Sequence, residues 1–243
     1  MIGGEHTHIA AGIVTLAYSA VLNALLPEAA HVPANLAAAA TVVTLARQDG
    51  ASFADLGLAR DSLGAGARVG FTVAAPIVAG IGLAARAPAT GRYFKDARVQ
   101  RASRRRAAYE TAVRIPLGTA LGEELLFRGA LLGLFGRRYS TAKAVAASSL
   151  LFGLWHVLPT LQSVADNRPE ETAAESLRTM ALVAGTVAAT AAAGVGLAGL
   201  RLRSRSILAP VIVHAAINSS AFIAARRGFT AVPSRPGGAP PGR

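Results

Sequence analysis

The chain has 243 residues, of which 52% are hydrophobic and only 16% are charged, whereas soluble globular domains carry about 25% charged residues. Cysteine is absent, which excludes disulfides, a thiolate nucleophile and cysteine metal sites. The net charge of +12 does not indicate nucleic-acid binding, because aromatic residues are 5% of the chain and most basic residues lie in connectors between apolar runs. Such connectors are typical of the positive loops that flank membrane spans.

Apolar runs long enough to cross a bilayer, about 17–25 residues, recur along the chain. The first follows eight residues without Lys or Arg, so it lacks the basic start of a secretory signal and we expect a retained membrane helix. The runs predict an all-α, polytopic transmembrane helical bundle with about seven spans. They lie at 9–26, 32–46, 69–85, 111–136, 142–158, 180–200 and 207–225.

The connectors suggest how the chain is divided. The segment 86–106 is the most basic stretch, and we expect it to be a loop on the cytoplasmic side. Residues 1–110 therefore form an N-terminal unit of membrane helices and this basic loop, 111–225 a helical core, and 226–243 a Pro/Gly/Arg-rich tail expected to be disordered. A loop after the fifth span is predicted from four acidic residues, Asp166, Glu170, Glu171 and Glu175.

Two adjacent glutamates, Glu123 and Glu124, lie inside the fourth apolar run, followed by Arg128. A charge within a membrane costs at least about 2.5–3.5 kcal/mol, so such residues are functional candidates by default. Residues four apart share a helical face, which predicts that Glu124 pairs with Arg128. Glu123 is rotated about 100° from Glu124 and is left to face a cavity between helices.

Later apolar runs add further polar side chains at the same spacing. Phe152 and His156 are four apart in the fifth run, and His214 and Asn218 are four apart in the last. Together with Glu123, these groups can converge on one water molecule. Each one taken singly also fits a structural hydrogen bond between helices, but a purely structural bundle does not need so many unmatched polar groups. No His-Glu-x-x-His or Gly-x-Ser-x-Gly sequence is present, so the usual zinc-protease and serine-hydrolase patterns are not supported.

These three ordered motifs resemble those of the CAAX-protease and bacteriocin-processing (CPBP, or Abi) family, which includes the Rce1-type prenyl-protein proteases. The resemblance covers about 111–225. It implies that Glu123 is the general base for an attacking water, assisted by His156. It also implies that His214 and Asn218 bind this water or the oxyanion, and that Glu124 and Arg128 support and orient the others.

A zinc ion held by Glu123, His156 and His214 is the alternative, since two histidines and a glutamate form a known catalytic zinc set. We favour a metal-free water and no cofactor, because no second carboxylate is evident in the sequence to orient either histidine, although Glu124 could fill that role.

The resemblance implies an intramembrane endopeptidase that cleaves a membrane-associated protein or peptide, including CAAX-type prenylated substrates. We expect an integral protein of a prokaryotic plasma membrane, in contact with the lipid bilayer and with a protein or peptide substrate but not with nucleic acid. Two alternatives remain. One is a non-catalytic bacteriocin-immunity or membrane-scaffold protein that keeps the motifs as a packing core. The other is a transporter that relays protons through its buried Glu and His residues, for which the expected paired interrupted helices are not evident.

Overall fold

The computed structural model describes residues 6–94, 96–167 and 173–227, which form helices without any strand. This confirms the predicted all-α class. Short 3₁₀ turns at Glu28–Ala30, Arg60–Ser62 and Gly91–Phe94 precede three of the helices. The helices are α1 (Thr7–Leu25), α2 (His31–Gln48), α3 (Leu63–Arg86), α4 (Ala97–Arg101), α5 (Arg104 to Gly136), α6 (Thr141–Trp155), α7 (Val157–Asn167), α8 (Ala173–Ser204) and α9 (Leu208–Arg227).

Six helical segments of the described chain are long and apolar enough to cross a membrane. With α5, which runs through the middle of the bundle, they make about the seven spans that the sequence predicts. Large apolar side chains cover their outer faces: Ile13, Phe71 and Leu83 are each more than 60% exposed. Extensive apolar surface of this kind marks contact with lipid. The chain is therefore an integral membrane protein.

Helix α5 is continuous but changes its hydrogen-bond register along its length. Three α-helical stretches alternate with two π-helical stretches. The α-helical stretches are Arg104–Tyr109, Gly122–Glu124 and Leu132–Gly136, and the π-helical stretches are Glu110–Leu121 and Leu125–Leu131. The first π-helical part contains a proline, which has no N–H to donate to the helical ladder. Segments of π-helix are rare and frequently occur at functional sites. The two glutamates lie in the short α-helical stretch between them.

The central position of α5 depends on glycines. A Cβ atom on Gly118 would lie 2.8 Å from Val32, and one on Gly122 would lie 3.2 Å from Asn35. Because these glycines have no side chain, α2 lies directly against the α5 backbone. Close packing through small residues is a common feature of membrane helix pairs. The α5 backbone is therefore in direct contact with α2 inside the bundle.

The predicted fifth span, 142–158, lies within a longer candidate membrane span, Thr141–Ala165, which is not one continuous helix. Helix α6 ends at Trp155, and a separate helix, α7, begins at Val157. Pro159 lies in the first turn of α7, where its missing N–H leaves the Trp155 carbonyl without its usual helical partner. That carbonyl instead accepts a hydrogen bond of 3.3 Å from the Ser19 hydroxyl of α1. His156 therefore lies at a junction between two helices and not within one.

Several connectors are also more ordered than predicted. The basic segment 86–106 contains a 3₁₀ turn, α4 and the start of α5, so it is not simply a loop. Of the four residues assigned to an acidic loop, Asp166 lies in α7 and Glu175 in α8, while Glu170 and Glu171 lie outside the described residues.

Helix α3 begins six residues before the predicted start at position 69. The last helix continues to Arg227, and the predicted disordered tail beyond it also lies outside the described residues.

Candidate active site

Glu124 forms the centre of a fully buried ionic cluster. Its Oε1 accepts a hydrogen bond from Arg128 Nη1 at 3.0 Å and lies 2.8 Å from His214 Nδ1. Glu124 and Arg128 have no exposed surface. The pairing of these two residues, predicted from their spacing, is confirmed. The contact with His214, which comes from α9, was not predicted.

The Arg128 guanidinium occupies a slot between three helices. Its Cζ lies 4.0 Å from the centre of the Phe152 ring, close enough for a cation–π interaction. On the α8 side, a Cβ atom on Gly194 would lie 3.0 Å from Arg128 Nη2 and 3.0 Å from Ser149 Cβ. The slot therefore depends on a glycine at position 194.

Glu123 lies beside this cluster but has a different environment. Its Oε2 is buried and has no hydrogen-bond partner among the described residues. A basic group, His214 Nε2, lies 3.9 Å from this oxygen. That distance is too long for a direct hydrogen bond, and polar groups at such separations are commonly bridged by water. Glu123 thus has a buried carboxylate oxygen without a partner among the described residues, beside a histidine that is too far away for a direct hydrogen bond.

Glu123 and His156 line the same cavity, which has a volume of about 530 Å³. The cavity extends along one face of α5, and its walls also come from α1, α2 and the α6–α7 junction. More than half of the lining residues are polar or charged, which suits a water-filled site in a bilayer. The other described lining residues are Leu22, Asn23, Glu28, His31, Val32, Asn35, Arg114, Gly118, Thr119, Trp155, Pro159 and Gln162.

The hydrogen bonds of His156 leave one of its ring nitrogens available. His156 Nδ1 lies 2.7 Å from the Phe152 carbonyl oxygen, and a carbonyl can only accept, so Nδ1 is assigned the hydrogen. The neutral ring then has a lone pair on Nε2. The Phe152 ring lies between the two histidines, with centroids 4.7 Å from His156 and 5.9 Å from His214. Phe152 therefore packs against both imidazoles as well as Arg128.

Asn218 is half-buried on α9, one turn beyond His214. Among the described residues, no hydrogen bond joins it to His214 or to either glutamate. The structure thus brings Glu123, Glu124 and His214 into one cluster, while Asn218 lies further along its helix.

The possible zinc ligands do not converge on a common point. No group of three or more His, Cys, Asp or Glu side chains among the described residues is arranged to hold a metal ion. Within the proposed set of Glu123, His156 and His214, the first and last are 3.9 Å apart. The bond from His214 to Glu124 is, however, of the kind that orients metal-bound histidines. Glu124 therefore fills the orienting role that was not evident from the sequence, so the absence of such a carboxylate is no argument against zinc.

Sequence reasoning missed the contribution of the first half of the chain. Asn35 of α2 is buried, donates a hydrogen bond of 3.0 Å to the Gly118 carbonyl and accepts one of 2.8 Å from the Tyr18 hydroxyl. It was detectable as a lone amide in an apolar run. Arg114 on the cavity wall was also missed, because it lies close to the basic segment that was interpreted as flanking charge.

Comparison with known proteins agrees with the motif resemblance. The family model for the Rce1-like type II CAAX prenyl endopeptidases matches residues 107–220. The match includes all six site residues predicted from the sequence, but not α1–α3. No curated protein and no solved structure gives a match. Residues 107–220, a little under half of the chain, are similar to the Rce1-like family of type II CAAX prenyl endopeptidases.

Proposed function

We propose that the protein is an intramembrane endopeptidase that hydrolyses a peptide bond of a membrane-associated protein, including CAAX-type prenylated proteins, in a prokaryotic plasma membrane. The observation that supports this most is the Glu123 carboxylate. It is buried in the bundle, one of its oxygens has no partner, and it lines a polar cavity of about 530 Å³. A carboxylate in such a position can accept a proton from water.

In the proposed mechanism, a water molecule beside Glu123 loses a proton to the carboxylate as its oxygen attacks the scissile carbonyl carbon. His156, with a lone pair on Nε2, assists from the other side of the cavity. The proton then passes to the leaving amine when the C–N bond breaks. Polar donors that face the oxyanion stabilise the tetrahedral intermediate. The family resemblance implies that His214 and Asn218 bind the attacking water or the oxyanion; with a lone pair on its Nε2, His214 binds the water.

Glu124 and Arg128 have a supporting role in this mechanism. Their buried ion pair fixes the Nδ1 side of His214, so that Nε2 points toward Glu123. Orientation of a histidine by a second carboxylate is a common arrangement in hydrolytic sites. A non-catalytic scaffold would account for this buried cluster. It would give no role to a buried carboxylate on the wall of a polar cavity, which is the observation that favours an enzyme.

The test is hydrolysis by the full chain reconstituted in liposomes, using a membrane-peptide library that includes prenylated C-terminal peptides. Glu123→Gln preserves size and removes the base, so hydrolysis should fall by about 10²–10⁴-fold while the protein stays folded. Asp49→Asn is the matched control, because it neutralises another buried carboxylate, one that pairs with Arg138 away from the cavity. Equal activity of the Glu123→Gln variant and the wild type refutes the catalytic assignment.

The same assay addresses the metal question. We propose a metal-free reaction, for which a chelator should leave the rate unchanged. If chelation abolishes hydrolysis and Zn²⁺ restores it, the endopeptidase assignment stands and the metal-free mechanism is wrong.

A further inference from the structure

A second cavity lies between the beginning of α5 and the end of α9, away from the glutamates and histidines described above. Its volume is about 290 Å³, near the lower end of the about 300–1,000 Å³ that is typical of small-ligand sites. None of the described residues that line it is an Asp or Glu, so the cavity favours an anion. Besides two alanines, its lining residues are Arg104, Thr111, Phe222, Ile223, Arg226 and Arg227.

Two of these arginines have donors available to a ligand. Arg104 is exposed and makes no hydrogen bond or ion pair with the described residues. Arg226 is partly buried, and its Nη2 donates a long hydrogen bond of 3.4 Å to the Ala102 carbonyl, in the turn between α4 and α5. This contact ties the end of α9 to that turn and leaves the other N–H groups of the guanidinium for a ligand. The planar fork of an arginine matches the oxygens of a phosphate group.

The acidic residues of this end of the bundle do not neutralise the cavity. Glu28 and Glu110 both pair with Arg106, which does not line it. Between positions 86 and 109, the sequence contains eight Lys or Arg residues and one acidic residue. Beyond Arg227, it contains no Asp or Glu. The surroundings therefore add to the positive potential of the cavity instead of cancelling it.

The depth of the cavity in the bilayer indicates the source of the phosphate. Helix α9 has 20 residues, a length of about 30 Å, which equals the thickness of the hydrocarbon core. Arg226 and Arg227 are its last two residues and therefore lie at the level of the lipid headgroups. Ile223, one turn earlier, is 39% exposed, so the cavity wall continues into the apolar outer surface of the helix. Basic pockets between membrane helices at this level bind anionic lipid headgroups.

We propose that this cavity binds an anionic glycerophospholipid, with the phosphate between Arg104 and Arg226 and the acyl chains along Phe222 and Ile223. Both arginines lie outside residues 107–220, which the family model matches, and the inference does not depend on the proposed endopeptidase activity. A lipid bound there bridges α5, which carries the two glutamates, and α9, which carries His214. It therefore stabilises the contact between these two helices.

The experiment titrates the full chain, purified in a neutral detergent, with dihexanoyl-phosphatidylglycerol and with dihexanoyl-phosphatidylcholine. Both probes contain a phosphate, but only phosphatidylglycerol has a net negative charge. Native mass spectrometry measures the dissociation constant of each. Phosphatidylglycerol should bind about 10-fold more tightly, and it should raise the Tm of the wild type more than phosphatidylcholine does.

Charge-removing variants locate the site. Arg104→Gln and Arg226→Gln should each weaken the binding of phosphatidylglycerol about 5-fold, and the double variant about 25-fold, with little change for phosphatidylcholine. Arg105→Gln is the matched control, because Arg105 is equally exposed on α5 but does not line the cavity. It should bind phosphatidylglycerol as the wild type does. If Arg226→Gln does not fold, Arg104→Gln alone decides the test, since the Arg104 side chain has no partner among the described residues.

Three outcomes overturn the proposal. Equal affinity of the wild type for the two lipids removes the evidence for an anion site. Equal losses for Arg104→Gln and Arg105→Gln assign the binding to the general positive charge of the surface and not to the cavity. If inorganic phosphate or glycerol phosphate binds as tightly as phosphatidylglycerol and displaces it, the cavity is a site for a soluble phosphate and the lipid assignment is wrong.

Discussion

Replacing Arg128 tests whether the buried cluster around Glu124 supports the fold. Arg128→Met keeps much of the apolar volume of the side chain but removes the guanidinium. The variant leaves the Glu124 carboxylate in a fully buried place with only His214 as a hydrogen-bond partner. Removing one partner of a buried ion pair typically lowers the free energy of unfolding by about 3–5 kcal/mol, because the remaining buried charge has no opposite charge beside it.

The contacts of Arg128 set the size of the expected loss. Its hydrogen bond to a charged group contributes about 1.5–3 kcal/mol, and the ring of Phe152 lies 4.0 Å below the cation. Two guanidinium nitrogens, Nε and Nη2, have no hydrogen-bond partner among the described residues. The free-energy cost of burying Arg128 is therefore only partly offset by its contact with Glu124. We therefore expect about 3 kcal/mol, near the lower end of the range for buried pairs. For a domain of this size, that lowers Tm by roughly 6–12 °C.

Thermal and denaturant unfolding in detergent measure this loss. Arg137→Met is the matched control, because Arg137 is partly exposed and lies 4.0 Å from Asp49, a geometry worth about 0–1 kcal/mol. In a double-mutant cycle, Glu124→Gln combined with Arg128→Met should cost clearly less than the sum of the two single variants. If Arg128→Met is no less stable than the Arg137 control, the ion pair does not support the fold and our reasoning about the cluster is wrong.

Two further predictions concern packing around the site. Gly194→Ala should destabilise the protein by about 1–3 kcal/mol, since the new methyl group meets Arg128 and Ser149. Gly196→Ala, with open space around it, should be neutral or slightly stabilising. If unfolding assays give equal stability changes for the two variants, the claim that the Arg128 slot depends on Gly194 is wrong. Asn35→Ala should cost about 1–3 kcal/mol, because the Gly118 carbonyl loses a buried donor, and the exposed Thr41→Ala in the same helix should change stability by less than about 0.5 kcal/mol.

The part of the site that is local in sequence was predictable. Glu124 and Arg128 are one helical turn apart, and their contact follows from spacing alone. The apolar runs likewise predicted the helical class and about seven spans, because a bilayer demands that every backbone polar group is satisfied within a helix. The family match over residues 107–220 agrees with the order of the three motifs.

The parts that depend on contacts between helices were not predictable. The break at His156 follows from Pro159 together with a hydrogen bond from Ser19, which is more than a hundred residues away in sequence. The role of Asn35 depends on α2 packing against a glycine of α5. Nothing in the spacing of His214 indicates that its Nδ1 bonds to Glu124 and not to a water. Each of these features requires knowledge of which helix faces lie together.

His214 explains how two adjacent residues of the same type have different roles. Its Nδ1 lies 2.8 Å from Glu124, and its Nε2 lies 3.9 Å from Glu123. Because the Glu124 carboxylate accepts a hydrogen bond from Nδ1, Nδ1 is assigned the hydrogen. In the proposed mechanism the ring is neutral, with a lone pair on Nε2. In the proposed mechanism, a water between Nε2 and Glu123 donates one hydrogen to each and turns its own lone pairs toward the substrate carbonyl. Of the two adjacent glutamates, Glu123 lines the cavity and takes the proton in this mechanism, whereas Glu124 is held by Arg128 and His214.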